Sequence, residues 1–310
     1  MLRKKITVGR IGEFGLIHRL SRTINVDKKR VIKGIGDDAA VILPPGAGKD
    51  SNLLQLFTTD MLIEDIHFKR SMGAFFIGRK AMACNISDIV AMGGLPSCAV
   101  ISLGVSPGTG VRFVEEIYRG IDVMAYVHRV SVVGGDTVKS KKIIINVAML
   151  GEVSRNNLVT RSGAKRGDKI FVSGPLGRSL RTGHHLYFTP RIHQAQYLVK
   201  THKPTAMIDV SDGLAGDLNH ILESSGVGAN LYATQIPRRK GATLSEALYD
   251  GEDFELLFTV SPQSSVSLMA VKEYLEFSYI GDIVEKKKGY HLLDGRGKRI
   301  PFLKAGFTHF

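Results

Sequence analysis

Aspartates stand at five places along this 310-residue chain where an apolar or glycine-bounded segment would ordinarily exclude them, and that pattern constrains the fold more than any other feature. Asp88 is the hardest to accommodate. Residues 75–92 carry apolar side chains at helical spacing and stop at Gly93-Gly94 ahead of Pro96, which predicts a helix. Asn85 and Asp88 lie three apart within it and share one face. The other places are Asp37-Asp38, between Gly36 and an apolar strand; Asp60, closing the apolar run 53–59; Asp136, after the strand 130–133 and Gly134-Gly135; and Asp209 with Asp212, where a strand meets a helix start. A carboxylate buried alone is costly, so each of these needs a partner. Singly, Asp38 and Asp136 also read as turn residues, and Ser211 with Asp212 as the cap and first-turn acid of a helix. Jointly they read as ligands of a hard cation, since Mg²⁺ takes oxygen ligands and is shared between carboxylates and nucleotide phosphates. Few cationic side chains accompany these motifs, which argues for more than one ion when a polyphosphate is bound.

The rest of the pattern organises the chain around these sites. Further strands are expected at 97–105 and 143–153 and a helix at 110–128, and the polar, basic stretch 154–168 then suggests a boundary between an N-terminal domain, 1–153, and a C-terminal domain, 154–310. The second half opens with a strand at 169–173, continues through 174–191 as loop, and has a helix at 212–225 with Ser211 as its N-cap and Gly226 past its end. Short strands follow at 254–260, 279–284 and 290–293. This order fits an α+β class with two layers of mixed or antiparallel sheet better than one doubly wound sheet.

Several function classes are disfavoured. No apolar run follows the basic opening and none approaches the roughly 18 residues a membrane span needs, which predicts a cytoplasmic protein with no membrane association. Cys84 and Cys98 sit in apolar runs and read as small core residues. The net charge of +13 is spread along the chain, in short runs such as Arg238-Arg239-Lys240 and Lys286-Lys287-Lys288, without interleaved aromatics, so nucleic acid is not the expected partner. Gly34-Ile35-Gly36 and Gly134-Gly135 permit close approach to phosphate, yet neither the P-loop signature nor the protein-kinase motifs are present.

The motifs, in order, resemble a known family. Gly-Glu-Phe-Gly-Leu-Ile (12–17), Gly-Ile-Gly-Asp-Asp-Ala-Ala (34–40), Thr-Thr-Asp-Met-Leu-Ile-Glu-Asp-Ile-His-Phe (58–68), Asn-Ile-Ser-Asp-Ile-Val-Ala-Met-Gly-Gly (85–94), Val-Gly-Gly-Asp-Thr (133–137), Thr-Arg-Ser-Gly-Ala-Lys-Arg-Gly-Asp (160–168), Ile-Asp-Val-Ser-Asp-Gly-Leu (208–214), Gly-Glu-Asp-Phe-Glu-Leu-Leu-Phe (251–258) and Gly-Phe-Thr-His-Phe (306–310) are similar to those of the thiamine-monophosphate kinases. The resemblance implies a two-domain fold like that of aminoimidazole ribonucleotide synthetase, with the N-terminal sheet forming a barrel with a second subunit's in a homodimer. It implies ATP-dependent phosphorylation of thiamine monophosphate to thiamine diphosphate. It also implies that Asp38, Thr58, Thr59, Asp60, Asp88, Asp136, Asp209 and Asp212 hold Mg²⁺ directly or through water. Tyr118, Gly135, Asp136, Arg161 and Ser211 would then bind ATP, and His67, Glu252 and Phe307 would face thiamine monophosphate. Taken without the family, His67 reads as a surface or satisfied histidine and Phe307 as a docking anchor.

Two segments depart from the family pattern: Asp250 and Phe254 in the loop at 250–254, and Arg178 to Gly183 after Gly174-Pro175-Leu176-Gly177. Both bear on the identity of the substrate. The alternatives are another ATP-dependent enzyme of the superfamily, of purine-pathway synthetase or hydrogenase-maturation type, and a nucleotide-binding regulator without catalysis. No residue is expected to act as a covalent nucleophile, because a phosphate oxygen is already ionised near neutral pH.

Overall fold

Side chains alternate between buried and more exposed along 53–63 and 144–154, the period of strands with one face on a core. In the computed structural model, residues 6–308 are described; the first five residues, the closing His309-Phe310 and the side chains of Lys272 and Glu273 lie outside them. A helix, α1 (Val8–Ser21), precedes a six-stranded sheet of β1 (Val31–Lys33), β2 (Ala40–Ile42), β3 (Leu53–Ile63), β4 (Leu95–Val105), β5 (Ser131–Lys139) and β6 (Ile144–Ser154). Its order is β1-β2-β3-β6-β4-β5, and only β4 and β5 run parallel. Two helices are interleaved, α2 (Ala74–Ala91) and α3 (Val111–His128).

The second half carries a seven-stranded sheet of β7 (Lys169–Val172), β8 (Ala206–Asp209), β9 (Val227–Tyr232), β10 (Leu256–Val260), β11 (Ser278–Glu285), β12 (Tyr290–Leu293) and β13 (Arg299–Ile300). The order is β13-β12-β9-β11-β7-β10-β8, with β9 and β12 parallel and the other pairs antiparallel. Its helices are α4 (Ser179–Thr182), α5 (His184–Tyr187), α6 (Ile192–Thr201), α7 (Leu214–Ser225), α8 (Leu244–Tyr249) and α9 (Pro262–Leu275). The mixed class expected from the sequence is the class observed. Among the described residues no helix is long and apolar enough to cross a membrane.

Helix α2 joins the two halves. It is apolar on nearly every side, so it is buried from every side. It lies on β3, β4 and β6, against α3, and against β8, α5 and α6 of the second half. One continuous core therefore runs from Ile86, Ile89 and Met92 to Phe171, Met207 and Phe258. A second core, with Val172, Ile208, Leu218 and Leu257, fills the space between the second sheet and α7.

Several boundaries differ from the sequence expectation, each for a local reason. Asp60 does not end its strand; Met61 to Ile63 continue the ladder, and Asp60 pairs with Val147 in mid-strand. The strand expected at 130–133 runs through Gly134, Gly135 and Asp136 to Lys139, paired with β4 beyond a bulge at Ala99 and Val100. Residues 174–191 are not all loop but hold α4 and α5. Ser211 does not cap α7; the helix begins at Leu214, and the Asp217 carboxylate reaches back to accept from the backbone N–H groups of Asp212 and Gly213, both at 3.1 Å. Gly226 does end it, in the left-handed conformation. Cys84 is buried, as a core residue should be, and Cys98 is partly so.

The α2–α3 contact depends on two glycines. A Cβ at Gly78 would lie 1.9 Å from the carbonyl oxygen of Ile117, and one at Gly120 would lie 1.9 Å from that of Phe75. The helix backbones touch with no room for a methyl group. Gly120→Ala is expected to force them apart and lower the unfolding free energy by about 1–3 kcal/mol or more, measured from urea midpoints; an unchanged midpoint would contradict so close a crossing.

Candidate active site

The face of β3 that α2 covers brings the first acids together. Thr58 and Asp60 are two apart and point to that face, while Asn85 and Asp88, one turn apart on α2, point back at them. The Thr58 hydroxyl donates to Asp88 Oδ2 at 2.7 Å, and the backbone N–H of Asp60 donates to Asn85 Oδ1 at 3.1 Å. Asp38, just before β2, is fixed through its neighbour, since the Ala39 N–H points at the Met92 sulfur at the end of α2, 3.1 Å away. Asp209 arrives from the last position of β8 and accepts from the Ser87 hydroxyl at 2.5 Å. One carboxylate oxygen from each of Asp38, Asp88 and Asp209 lies within 4.8 Å of the others.

Two cations partly answer this charge, Arg161 at Asp38 and Lys80 at Asp60. Arg161 donates from Nη2 and Nε to Asp38 Oδ1 at 2.7 and 3.3 Å, and its backbone N–H donates to Asp37 Oδ1 at 3.0 Å. Asp38 Oδ2 stays buried without a hydrogen-bond partner. Burial pushes the carboxyls up from their ordinary 3.8: Asp209 to about 8, with Asp38 adding to the effect, and Asp60 to about 6, with Lys80 pulling it down against Asp38 and Glu252. Asp88 is pushed well up by burial and by Asp60, Asp209 and Asp38, and Asp38 is raised by burial despite Arg161. Oxygen donors, surplus negative charge and an orphaned oxygen are what a hard divalent cation requires, so these residues fit Mg²⁺.

Beside the cluster lies a cavity of about 420 Å³ whose lining includes Asp60, His67, Asp212, Glu252, Phe254 and Phe307. Asp60 thus belongs to both. His67 follows β3 and accepts the Ile63 N–H at Nδ1, 3.0 Å, which leaves the proton of the neutral ring on Nε2. The C-terminal segment is docked by the Phe307 N–H, which donates to the Asp212 carbonyl at 2.8 Å. A Cβ at Gly306 would lie 2.5 Å from that same oxygen, so only glycine permits the approach.

The loop 250–255 forms one wall and is strained. Glu252 and Phe254 have φ of +53° and +51°, a conformation that costs non-glycine residues on the order of 1–3 kcal/mol each. Their backbone N–H groups donate to Ser211 and Val210 at 2.7 and 2.8 Å, and Phe254 stacks on Phe188 at 4.1 Å. The segment after Gly177 holds the loop from outside: the Arg178 N–H donates to Asp250 Oδ2 at 2.9 Å, and the Ser179 hydroxyl to the Glu252 carbonyl at 2.6 Å. The two segments that depart from the family pattern are therefore in contact, and Leu180 and Asp250 line the cavity.

Of the residues singled out in the sequence, Asp38, Thr58, Asp60, Asp88, Asp209 and Arg161 form the cluster, while His67, Ser211, Asp212, Glu252 and Phe307 meet at the cavity. Four lie elsewhere. Thr59 points to the opposite face of β3, donating to the Val147 carbonyl at 3.0 Å. Gly135 and Asp136 are exposed on β5, at the far edge of the sheet, and Tyr118 is on the surface of α3. Lys80 was missed. It is fully buried, and its Nζ donates to Glu252 Oε1 at 2.6 Å and to the His67 carbonyl at 3.0 Å. The available signal was a lysine two turns before Asp88 on the same face of an apolar helix.

Comparison with known proteins places this geometry. Residues 36–153 match the family of the AIR synthase related protein, N-terminal domain, and residues 143–294 that of its C-terminal domain. The thiamine-monophosphate kinase of Buchnera aphidicola subsp. Schizaphis graminum is 32% identical, covering 96% of this chain and 98% of that relative. This chain belongs to the thiamine-monophosphate kinase family. The family member from Aquifex aeolicus is 36% identical over 80% of this chain and 86% of its own length. A solved structure, AaThiL complexed with AMPPCP and TMP, has a TM-score of 0.84 at 32% identity, covering 99% of this chain and all of that one, 100%.

The raised carboxyls set a sign for pH dependence. A group whose pKa is higher in the fold than its ordinary value stabilises fully below about pH 4 and loses that contribution as pH rises through its folded value. For Asp60 and Asp209 the loss runs through about 6 and about 8. The metal-free protein is expected to melt at falling temperature between pH 5 and 9, and Asp88→Asn to stabilise it by about 0.5–2 kcal/mol at pH 8. Calorimetry in chelator measures both, and a flat profile with a destabilised variant would contradict the cluster's electrostatics.

Proposed function

We propose that this protein transfers the terminal phosphoryl group of ATP to the phosphate of thiamine monophosphate, giving ADP and thiamine diphosphate. The observation that carries the reading is the sharing of Asp60 between the buried acidic cluster and the cavity lined by His67, Glu252 and Phe307. A cluster that gathers cations around phosphates thus adjoins a pocket of a size and lining suited to an aromatic acceptor. The relatives' name and the AMPPCP and TMP of AaThiL support the same assignment.

The chemistry needs position and charge rather than a covalent intermediate. Asp38, Asp88 and Asp209 would hold Mg²⁺, with Asp60 and Asp212 reaching it from the cavity side and Thr58 fixing Asp88. When bound, Mg²⁺ supplies charge that draws two anions together and stabilises attacking and leaving oxygens in line. Arg161, Ser211 and the backbone around them face the nucleotide. Phe307 offers an aromatic face, Glu252 an acceptor for an aminopyrimidine edge, and His67 a donor from Nε2.

A homodimer completes this reading. The sheet face away from α2 exposes Phe57, Met61, Leu95, Val100 and Val133, an apolar surface that a lone chain would leave in water. Among the described residues β5 pairs on one side only, and β3 has no strand beside it on the β2 side beyond Phe57. A second copy that closes these edges into a barrel would carry its β5 toward residues 58–63 of β3 and bring Gly135, Asp136 and the neighbouring Tyr118 toward the cluster. Thr59, pointing into that barrel, would then lie on the shared side.

Purified protein with ATP and Mg²⁺ is expected to form thiamine diphosphate from thiamine monophosphate; turnover of an aminoimidazole ribonucleotide precursor in its place would favour the superfamily alternative. Val133→Asp is expected to yield a monomer in sedimentation velocity that has lost most of its turnover. A fully active monomer would remove the dimer from the site.

A further inference from the structure

The loop Asp250-Gly-Glu-Asp-Phe-Glu255 carries four carboxylates in six residues, and the structure gives each its own anchor. Asp250 accepts the Arg178 N–H at 2.9 Å. Asp253 accepts the Gly177 N–H at 2.9 Å and Arg239 Nη1 at 2.6 Å. Glu255 binds Arg191 through both oxygens at 2.6 and 2.7 Å, and the Ser173 hydroxyl as well. Glu252 alone is anchored from the other half of the molecule, by Lys80 on α2. The anchor occupies one oxygen. Oε2 of Glu252 is buried and has no hydrogen-bond partner, although Glu252 lines the cavity.

Each half of this arrangement is costly alone. A buried ammonium needs a counter-charge, and a buried carboxylate oxygen left unpaired pays its desolvation in full. Lys80 also donates to the carbonyl of His67, so one ammonium ties two residues of the cavity wall that stand 185 positions apart in the chain (252 − 67). The strained backbone at Glu252 shows that the side chain is not there by relaxation of the loop.

We propose that Lys80 is a positioning residue for the acceptor substrate: it holds Glu252 with Oε1 occupied and Oε2 presented to an N–H donor of the ligand, and sets His67 at the same time. The inference rests on the proposed function, in which that ligand is thiamine monophosphate and the donor is its aminopyrimidine edge. An acceptor without such a donor would leave Oε2 unpaired, so the Lys80–Glu252 pair selects for a donor-bearing ring. Asp38, Asp88, Asp209 and Arg161, on the nucleotide side, make no hydrogen bond to this pair among the described residues, while Asp60, which Lys80 influences, and Ser211, whose carbonyl accepts the Glu252 N–H, lie between the two.

The test is steady-state kinetics on full-length Lys80→Met, Glu252→Gln and the double variant, with thiamine monophosphate and ATP varied separately. Lys80→Met is expected to raise the KM for thiamine monophosphate by about tenfold or more and to leave the KM for ATP within about twofold. In the Glu252→Gln background the same change is expected to add less than about twofold, since residues acting through one another are not additive. Equal rises in both KM values, or full additivity, would assign Lys80 a general structural role and overturn the inference. Where Lys80→Met fails to fold, the double variant, which has no unpaired buried charge, is compared with Glu252→Gln and decides by the same criterion. Wild-type protein inactive on thiamine monophosphate overturns the proposed function and the inference together; active wild type with an unchanged Lys80→Met overturns the inference alone.

Discussion

The crowding of four carboxyls, Asp38, Asp60, Asp88 and Asp209, each of which can ionise there only against the others and against burial, is the constraint on which the rest of the structure depends. These carboxyls come from a loop, a strand, a helix and the end of a strand in the other sheet, and only the folded chain forces them together. The energy that holds them comes from apolar packing elsewhere, chiefly the all-round burial of α2. The fold thus carries a site that opposes its own assembly. The cost of ionising these groups falls when a cation supplies the missing charge, which under the proposed function is Mg²⁺.

The second half answers a different problem. In its acidic loop Glu252, Asp253 and Glu255 are paired with Lys80, Arg239 and Arg191, and Asp250 accepts the Arg178 backbone N–H, so most of the negative charge there is answered within the protein. The contrast separates the two regions by function. Where carboxylates are matched by fixed donors they shape a pocket; where they are not, burial raises their carboxyls. Asp60 sits where the two regimes meet, its carboxyl raised by burial and lowered by Lys80.

Much of this was legible in the sequence because buried charge is rare and therefore visible. Asp88 inside an apolar helix announced its need for a partner, and Asn85 three residues earlier lay on the same face, as the contacts to Thr58 and Asp60 bear out. Local signals failed where long-range packing decided the outcome. Ser211 and Asp212 looked like a helix start, yet Asp217 took the capping role from inside the helix. Residues 178–188 had no clear period because their short helices are ordered by contacts with the 250–254 loop, seventy positions away in sequence. Lys80 carries no sequence signal of its own, because a lysine on a helix is ordinarily solvent-exposed. Its partner, Glu252, is brought to it only by the packing of the two halves. Gly135, Asp136 and Tyr118 belong with the cluster by family resemblance, but a single chain leaves the first two at the far edge of the sheet and Tyr118 on the surface of α3, a separation that sequence spacing could not reveal.

The central claim, that cations complete a cluster of carboxyls which otherwise retain protons, is tested most directly by counting protons. Calorimetric titration of Mg²⁺ into the metal-free protein at pH 7, in buffers of different ionisation enthalpy, reports the protons released on binding. The carboxyl of Asp209, raised by burial to about 8, predicts net release and an apparent enthalpy that depends on the buffer. Binding with no dependence on the buffer would mean that the carboxylates were already ionised, and would contradict the claim.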